Sequence, residues 1–264
     1  MARTDTPRTP PPPAPAASPA VLALRGLGRS VGGATIVDDV TLDVREGEFL
    51  AVIGPNGAGK TSLFDLISGI TPATRGTIGL DGHDITDAPV HARARLGLGR
   101  TFQLSSLWPA MTVADHVRLA AQAAEGVSYR LWRRAPRYAG QVAHVLRRTG
   151  LEHRAGTPAA ELSHGGRRQL ELAVVLVGEP RLILLDEPMA GVSAEDVPLL
   201  TALIRAVHQE ERRTVLMVEH HMDVLLGLAD RIAVMHHGGL LAVDTPAAVM
   251  ADETVQQAYL GEEL

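Results

Sequence analysis

Eight consecutive residues, Gly54-Pro55-Asn56-Gly57-Ala58-Gly59-Lys60-Thr61, follow the pattern G-x-x-x-x-G-K-[ST]. Glycines in such a loop let the backbone curl so that successive N–H groups converge on phosphate oxygens. The helix that follows adds the partial positive charge of its N-terminus. The lysine reaches the β- and γ-phosphates and the last hydroxyl binds Mg²⁺, roles that fall to Lys60 and Thr61, with Ser62 beside them on the phosphate side. The pattern carries weight only between a strand and a helix. Phe49-Leu50-Ala51-Val52-Ile53 is an apolar run of strand length, and Ser62 to Ser68 reads as a helix. That context argues against the plain alternative, a Gly-rich turn with a solvated lysine.

A phosphate loop alone leaves kinases, GTPases and many ATPases open. A second apolar run, Leu182-Ile183-Leu184-Leu185, delivers two carboxylates, Asp186 and Glu187, and is closed by Pro188. Ligands of open α/β sheets gather at that C-terminal end of the strands. Asp186 suits Mg²⁺ coordination through water, and Glu187 suits polarisation of an attacking water. Successive strand side chains point to opposite sides, so the two are expected in different roles.

The elements that must position these groups read as an α/β chain. Short strands are expected at Val21 to Arg25 and Val40 to Val44, and another at Gly76 to Leu80, closed by the turn dipeptide Asp81-Gly82. From about 112 to 178 the character changes to helix, with periodic segments at Val113 to Ala124, Gly140 to Arg148 and Gly166 to Val177. Strand–helix alternation then resumes: Arg181 to Leu185, a helix from Ala194 to Glu210, Thr214 to Val218, a helix from His221 to Leu228, then Ile232 to His236 and Leu240 to Val243. Unbroken apolar strands of this kind are buried on both faces of a parallel sheet.

Composition narrows the partners. The chain has 264 residues, 45% hydrophobic, with a net charge of −5 and no cysteine. Disulfides, thiolate catalysis and Cys-ligated zinc are excluded. A duplex-binding protein needs a basic face, so nucleic acid is disfavoured as the main partner. Arg130, Arg133, Arg134 and Arg137, with Trp132 among them, read as a solvated helix face or loop, with a local basic patch as the alternative. No uncharged apolar run approaches the ~20 residues that cross a bilayer. Residues 1–20, with Pro10 to Pro13 consecutive, read as a disordered leader.

Leu162-Ser163-His164-Gly165-Gly166 closely resembles the signature motif, usually written LSGGQ, of ATP-binding cassette (ABC) proteins. Together with Gly54 to Thr61, Gln103, Asp186-Glu187 and His220, the order and spacing resemble an ABC nucleotide-binding subunit over residues 21–264. The resemblance implies a P-loop NTPase core with a parallel sheet, an antiparallel β subdomain, and a helical subdomain inserted at about 104–178. It implies ATP and Mg²⁺ as ligands. Ser163, Gly165 and Gly166 would touch the γ-phosphate of an ATP held on the partner subunit's phosphate loop. Gln103 would reach Mg²⁺ and the water, next to the helical insertion. His220, just after an apolar strand, would contact the γ-phosphate, with His221 as its neighbour and competitor. Val31 stands where many members stack an aromatic ring on adenine. Gly166 replaces the final Gln of the signature, and Ser193 replaces a common Asp or Asn; neither removes a phosphate or metal ligand.

The family's mechanism is ATP hydrolysis coupled to mechanical work in a head-to-tail pair. The partners it implies are a second ATP-binding subunit, identical or different, transmembrane permease subunits, and indirectly a periplasmic or extracellular solute-binding protein. The expected location is peripheral, on the cytoplasmic face of the cell membrane. The surface near Phe102, Gln103, Leu104, Leu107 and Trp108 is a candidate docking groove for a permease helix, with ordinary packing of Leu107 and Trp108 inside the helical subdomain as the alternative. Gly97 to Gln103, Val218 to Met222 and Tyr259-Leu260-Gly261 are similar to the ATPases of branched-chain amino-acid importers, with urea and amide importers alongside. A soluble ABC protein acting on ribosomes or DNA, and a phosphotransfer enzyme, are the rival classes. The first usually carries two cassettes or a long coiled coil; the second would leave Ser163 to Gly166 unexplained.

Overall fold

The structure, a computed structural model, describes residues 20–101, 107–125 and 138–260. The chain opens with a hairpin, β1 (Ala20–Val31) and β2 (Ala34–Arg45), joined through Gly32 and Gly33. Both glycines have positive φ, 56° and 87°, as a tight two-residue turn between right-twisted strands requires. After β3 (Phe49–Ile53) and α1 (Lys60–Ser68), β4 (Arg75–Leu80) pairs antiparallel with β1, and β5 (His83–Asp84) closes a sheet of order β2-β1-β4-β5.

The second sheet is mostly parallel. Its members after β3 are β6 (Leu98–Arg100), β7 (Leu182–Asp186), β8 (Thr214–Val218), β9 (Arg231–His236) and β10 (Gly239–Asp244), in the order β10-β9-β3-β8-β7-β6. Only the β9–β10 hairpin is antiparallel among these pairs. Asp186 and Val52 both pair with Val218, so β3, β8 and β7 end level with one another. That alignment brings three loops to one edge of the sheet, each about 4.8 Å from the next.

Every residue of β3, β7 and β8 is buried, which is why their sequences show no alternation. The alternation is present in space. Phe49, Ala51 and Ile53 face one core, shared with the helical elements, whereas Leu50 and Val52 face another, shared with α1 and the antiparallel sheet. Between β6 and β7 the described residues form α3 (Val113–Ala124), α4 (Ala139–Arg148) and α5 (His164–Leu176), with no strand longer than an isolated bridge. Thr112 caps α3 by accepting from the Asp115 N–H. The chain continues as α6 (Val197–Gln209) before β8, α7 (Met222–Leu228) before β9, and α8 (Pro246–Ala251) and α9 (Glu253–Leu260) at the end. No helix of the described residues is long and apolar enough to cross a membrane.

Boundaries move where a local bond decides them. α5 starts at His164, earlier than the periodicity predicts, because Ser163 Oγ accepts the Gly166 N–H at 3.1 Å and fixes the first turn. α6 starts at Val197, later than Ala194, because a turn bonding Asp196 N to Ser193 O comes first. α2 (Val90–Arg95) and β6 have no counterpart in the sequence reading. α2 carries Arg93, which is 2% exposed and donates to the carbonyls of Leu66, Ile67, Ala88 and Thr86. Arg93 thus supplies donors to C-terminal carbonyls of α1, joining the Gly69 N–H on Leu66 O, and its cation suits the negative end of that helix.

Candidate functional site

The phosphate loop leaves β3 at Gly54, whose φ of 151° and position 2.2 Å from Met235 O for any Cβ admit no side chain. The loop's curl ends at Gly59, also left-handed with φ 99°, and α1 begins at Lys60. Lys60 is 6% exposed. Its Nζ donates to Gly54 O at 2.6 Å and Pro55 O at 2.9 Å, so the ammonium lies folded into the cup of its own loop. Burial lowers its pKa, while the Glu187 and Asp186 carboxylates oppose that shift. The two carboxylates read from sequence therefore act on the same lysine. Thr61 is exposed and Ser62 half-buried on the first turn of α1.

Asp186 ends β7 and is 1% exposed. Its Oδ2 accepts from Arg100 Nη2 at 2.9 Å. Its Oδ1 is buried and has no hydrogen-bond partner among the described residues. Desolvation pushes its pKa up, Arg100 opposes this, and Glu187 and Asp65 add to the rise. A buried carboxylate with one oxygen on a guanidinium and the other without a partner fits a hydrated divalent cation.

Glu187 separates from Asp186 by a backbone turn. Strand alternation predicts opposite faces, but β7 stops at Asp186, and Glu187 takes a left-handed φ of 48° while its N–H donates to Val218 O at 2.9 Å. That bond ties Glu187 to the end of β8, where His220 follows. His220 Nε2 lies 3.2 Å from Glu187 Oε1. His221 turns away, with its Nδ1 on the buried Glu219 carboxylate. The structure thus brings His220, and not its neighbour, to the carboxylate.

The remaining expected residues sit apart. Ser163, Gly165 and Gly166 form the first turn of α5, and among the described residues no hydrogen bond joins them to the phosphate loop of their own chain. Gly165 packs on Asp196, whose Oδ2 would meet a Cβ at 2.7 Å, and the His164 ring lies against Gly191. The signature turn therefore rests on the segment that follows Asp186-Glu187. Val31, at the tip of the β1–β2 hairpin, is 50% exposed. Gln103, with Phe102 and Leu104, lies outside the described residues, as do the arginines near Trp132. Arg100 was not singled out in the sequence, because its partners Asp65, Ser68 and Asp186 are 35, 32 and 86 residues away.

The folded chain is a P-loop nucleotide-binding cassette, with the phosphate loop, an acidic strand end and a histidine on one sheet edge, and a separate signature turn on a helix. Residues 37–190 match the ABC transporter family, and residues 240–264 match the branched-chain amino acid ATP-binding cassette transporter family. High-affinity branched-chain amino acid transport ATP-binding protein BraF of Pseudomonas aeruginosa is 38% identical over 250 residues, covering 92% of this chain and 98% of that protein. LivG of Escherichia coli K12, of the same description, is 36% identical over 250 residues with the same coverage. Among solved structures, the ADP conformation of MJ1267, an ATP-binding cassette of an ABC transporter, superposes with a TM-score of 0.82 at 28% identity, over 93% of this chain and all of that one. The chain belongs to the ABC transporter family, as an ATP-binding subunit with ATPase chemistry.

Proposed function

We propose that this chain is the ATP-hydrolysing subunit of an importer of branched-chain amino acids, peripheral on the cytoplasmic membrane face, and that it works as one half of a nucleotide-clasped pair. The observation that carries the pairing is the division of the site. Lys60, Asp186, Glu187 and His220 gather on one sheet edge, while Ser163, Gly165 and Gly166 stand on α5 with no hydrogen bond to that edge among the described residues. A second subunit, identical or different, would supply its signature turn to this chain's ATP.

In this reading Gly54 to Ser62 hold the phosphates, and Lys60 exchanges its two loop carbonyls for phosphate oxygens. Glu187 accepts the proton of a water as its oxygen bonds to the γ-phosphorus and the bond to the β-phosphate oxygen breaks. His220, fixed on Glu187, stabilises the charge that develops on the γ-phosphoryl group. Thr61, Asp186 and Gln103 would hold Mg²⁺, which neutralises phosphate charge; the fit rests on the unpartnered buried Asp186 Oδ1. An exposed valine offers adenine less contact than a ring. Val31→Tyr is expected to tighten ATP binding about two- to tenfold through ring stacking, measured by nucleotide titration.

The permease reading is supported by an apolar cavity of about 500 Å³ lined by Leu107, Trp108, Leu119, Val174 and Val175 beside Arg100 and Thr101. Leu107 packs toward the core, but Trp108 is 57% exposed, so the groove keeps an open aromatic wall for a permease segment. The solute reading is supported by the BraF and LivG relatives and by the C-terminal match. The test is uptake of labelled leucine, isoleucine or valine into vesicles carrying the permeases, the solute-binding protein and this chain. ATP-dependent uptake is expected, lost when this chain is omitted. Uptake of urea or short amides instead would move the solute class, and uptake of none, with phosphate release indifferent to the permeases, would contradict the transport reading.

A further inference from the structure

Arg100 makes a clamp across three elements. From β6 its Nη1 donates to Asp65 Oδ1 at 2.8 Å and Ser68 Oγ at 2.7 Å on α1, and its Nη2 donates to Asp186 Oδ2 at 2.9 Å on β7. The guanidinium lies 5.8 Å from the centre of the Phe64 ring, on the same face of α1. Its side chain is 6% exposed and that of Asp186 is 0%. A guanidinium bonds carboxylates in a fixed planar fork, so the clamp sets directions as well as distances.

Two features separate this from an ordinary structural ion pair. The first is asymmetry at Asp186: one oxygen is held by Arg100 and the other is buried with no partner among the described residues. A buried carboxylate oxygen without a partner calls for an explanation, and at the end of β7 beside the phosphate loop a bound ion with its water is one. The second is what the clamp joins. α1 carries Thr61 on its first turn, and β7 carries Asp186 at its end.

We propose that Arg100 is a positioning residue for the Mg²⁺ site, holding Asp186 Oδ2 so that Oδ1 alone faces the metal's water, and fixing the separation of Asp186 from Thr61. The inference rests on the Mg²⁺ reading given above. Outer groups that orient a ligand in this way commonly change metal affinity by 10–100-fold when removed.

The experiment is a titration of the full chain with fluorescent trinitrophenyl-ATP, in Mg²⁺ and in EDTA. The readout is the gain in affinity that Mg²⁺ confers. Arg100→Met is expected to reduce that gain about tenfold while EDTA affinity stays within about twofold of the unmodified chain. Arg100→Lys restores part of the gain, because an ammonium keeps the charge but loses the fork. An undiminished gain in Arg100→Met, or an equal loss in Mg²⁺ and EDTA, overturns the proposal. Should Arg100→Met fail to fold, Asp65→Asn combined with Ser68→Ala cuts the α1 end of the clamp and leaves Asp186 paired. That double variant is expected to lower the gain about threefold, and an unchanged gain overturns the proposal. A native chain that shows no Mg²⁺ gain overturns the Mg²⁺ reading itself, and the inference with it.

Discussion

Replacing Glu187 with Gln is expected to lower steady-state phosphate release by about 10²–10⁴-fold, the scale of a lost general base, and to leave nucleotide affinity close to that of the unmodified chain. The side chain keeps its size, so the turn at Glu187 and the bond from its N–H to Val218 O are undisturbed. The amide still reaches His220 Nε2, 3.2 Å away in the native chain, but cannot take up a proton from water. Release of inorganic phosphate and equilibrium nucleotide binding, measured on one preparation, separate the two effects. A Glu187→Gln chain that hydrolyses at the native rate assigns the base elsewhere.

Lys60→Ala has the opposite signature. Binding of ATP is expected to weaken by about 10–100-fold, since charge-assisted hydrogen bonds to phosphate are each worth about 1.5–3 kcal/mol. Folding stability should not fall in step. Lys60 is buried, which lowers its pKa against the opposing Glu187 and Asp186 carboxylates, and its Nζ donates to the Gly54 and Pro55 carbonyls of its own loop, contacts that serve the loop rather than the core. Thermal unfolding without nucleotide is expected near the native temperature, while the shift produced by ATP largely disappears. Loss of the fold, instead of loss of the ATP shift, would make Lys60 a structural residue. The two substitutions therefore separate binding from chemistry on neighbouring loops.

The strands that deliver the chemistry were legible because burial on both faces leaves an unbroken apolar run, as at Phe49 to Ile53 and Leu182 to Leu185. α3 and β8 coincide with their predicted limits, Val113–Ala124 and Thr214–Val218. β6 and α2 were not legible, since three and six residues are too few to display a period. Glu187 could be placed beside Asp186 in the sequence, but not its left-handed backbone, which depends on a bond to β8. His220 and His221 are chemically alike as letters; in the fold His221 lies on the buried Glu219 carboxylate and His220 on Glu187. The roles of Arg100 and Arg93 are not legible in the sequence, because the α1 carbonyls that Arg93 meets and the Asp65, Ser68 and Asp186 side chains that Arg100 meets are brought to them by tertiary structure.

In the proposed mechanism ATP is held between two cassettes, with Lys60 of one facing Ser163 of the other. The most direct measurement is particle mass by light scattering for the Glu187→Gln chain, alone and with its sister ATPase, in ATP and in ADP. Two cassettes per particle are expected in ATP and one in ADP, and an arginine in place of Ser163 should abolish the ATP-dependent species. One cassette per particle with ATP bound, under both conditions of partnership, would contradict the account.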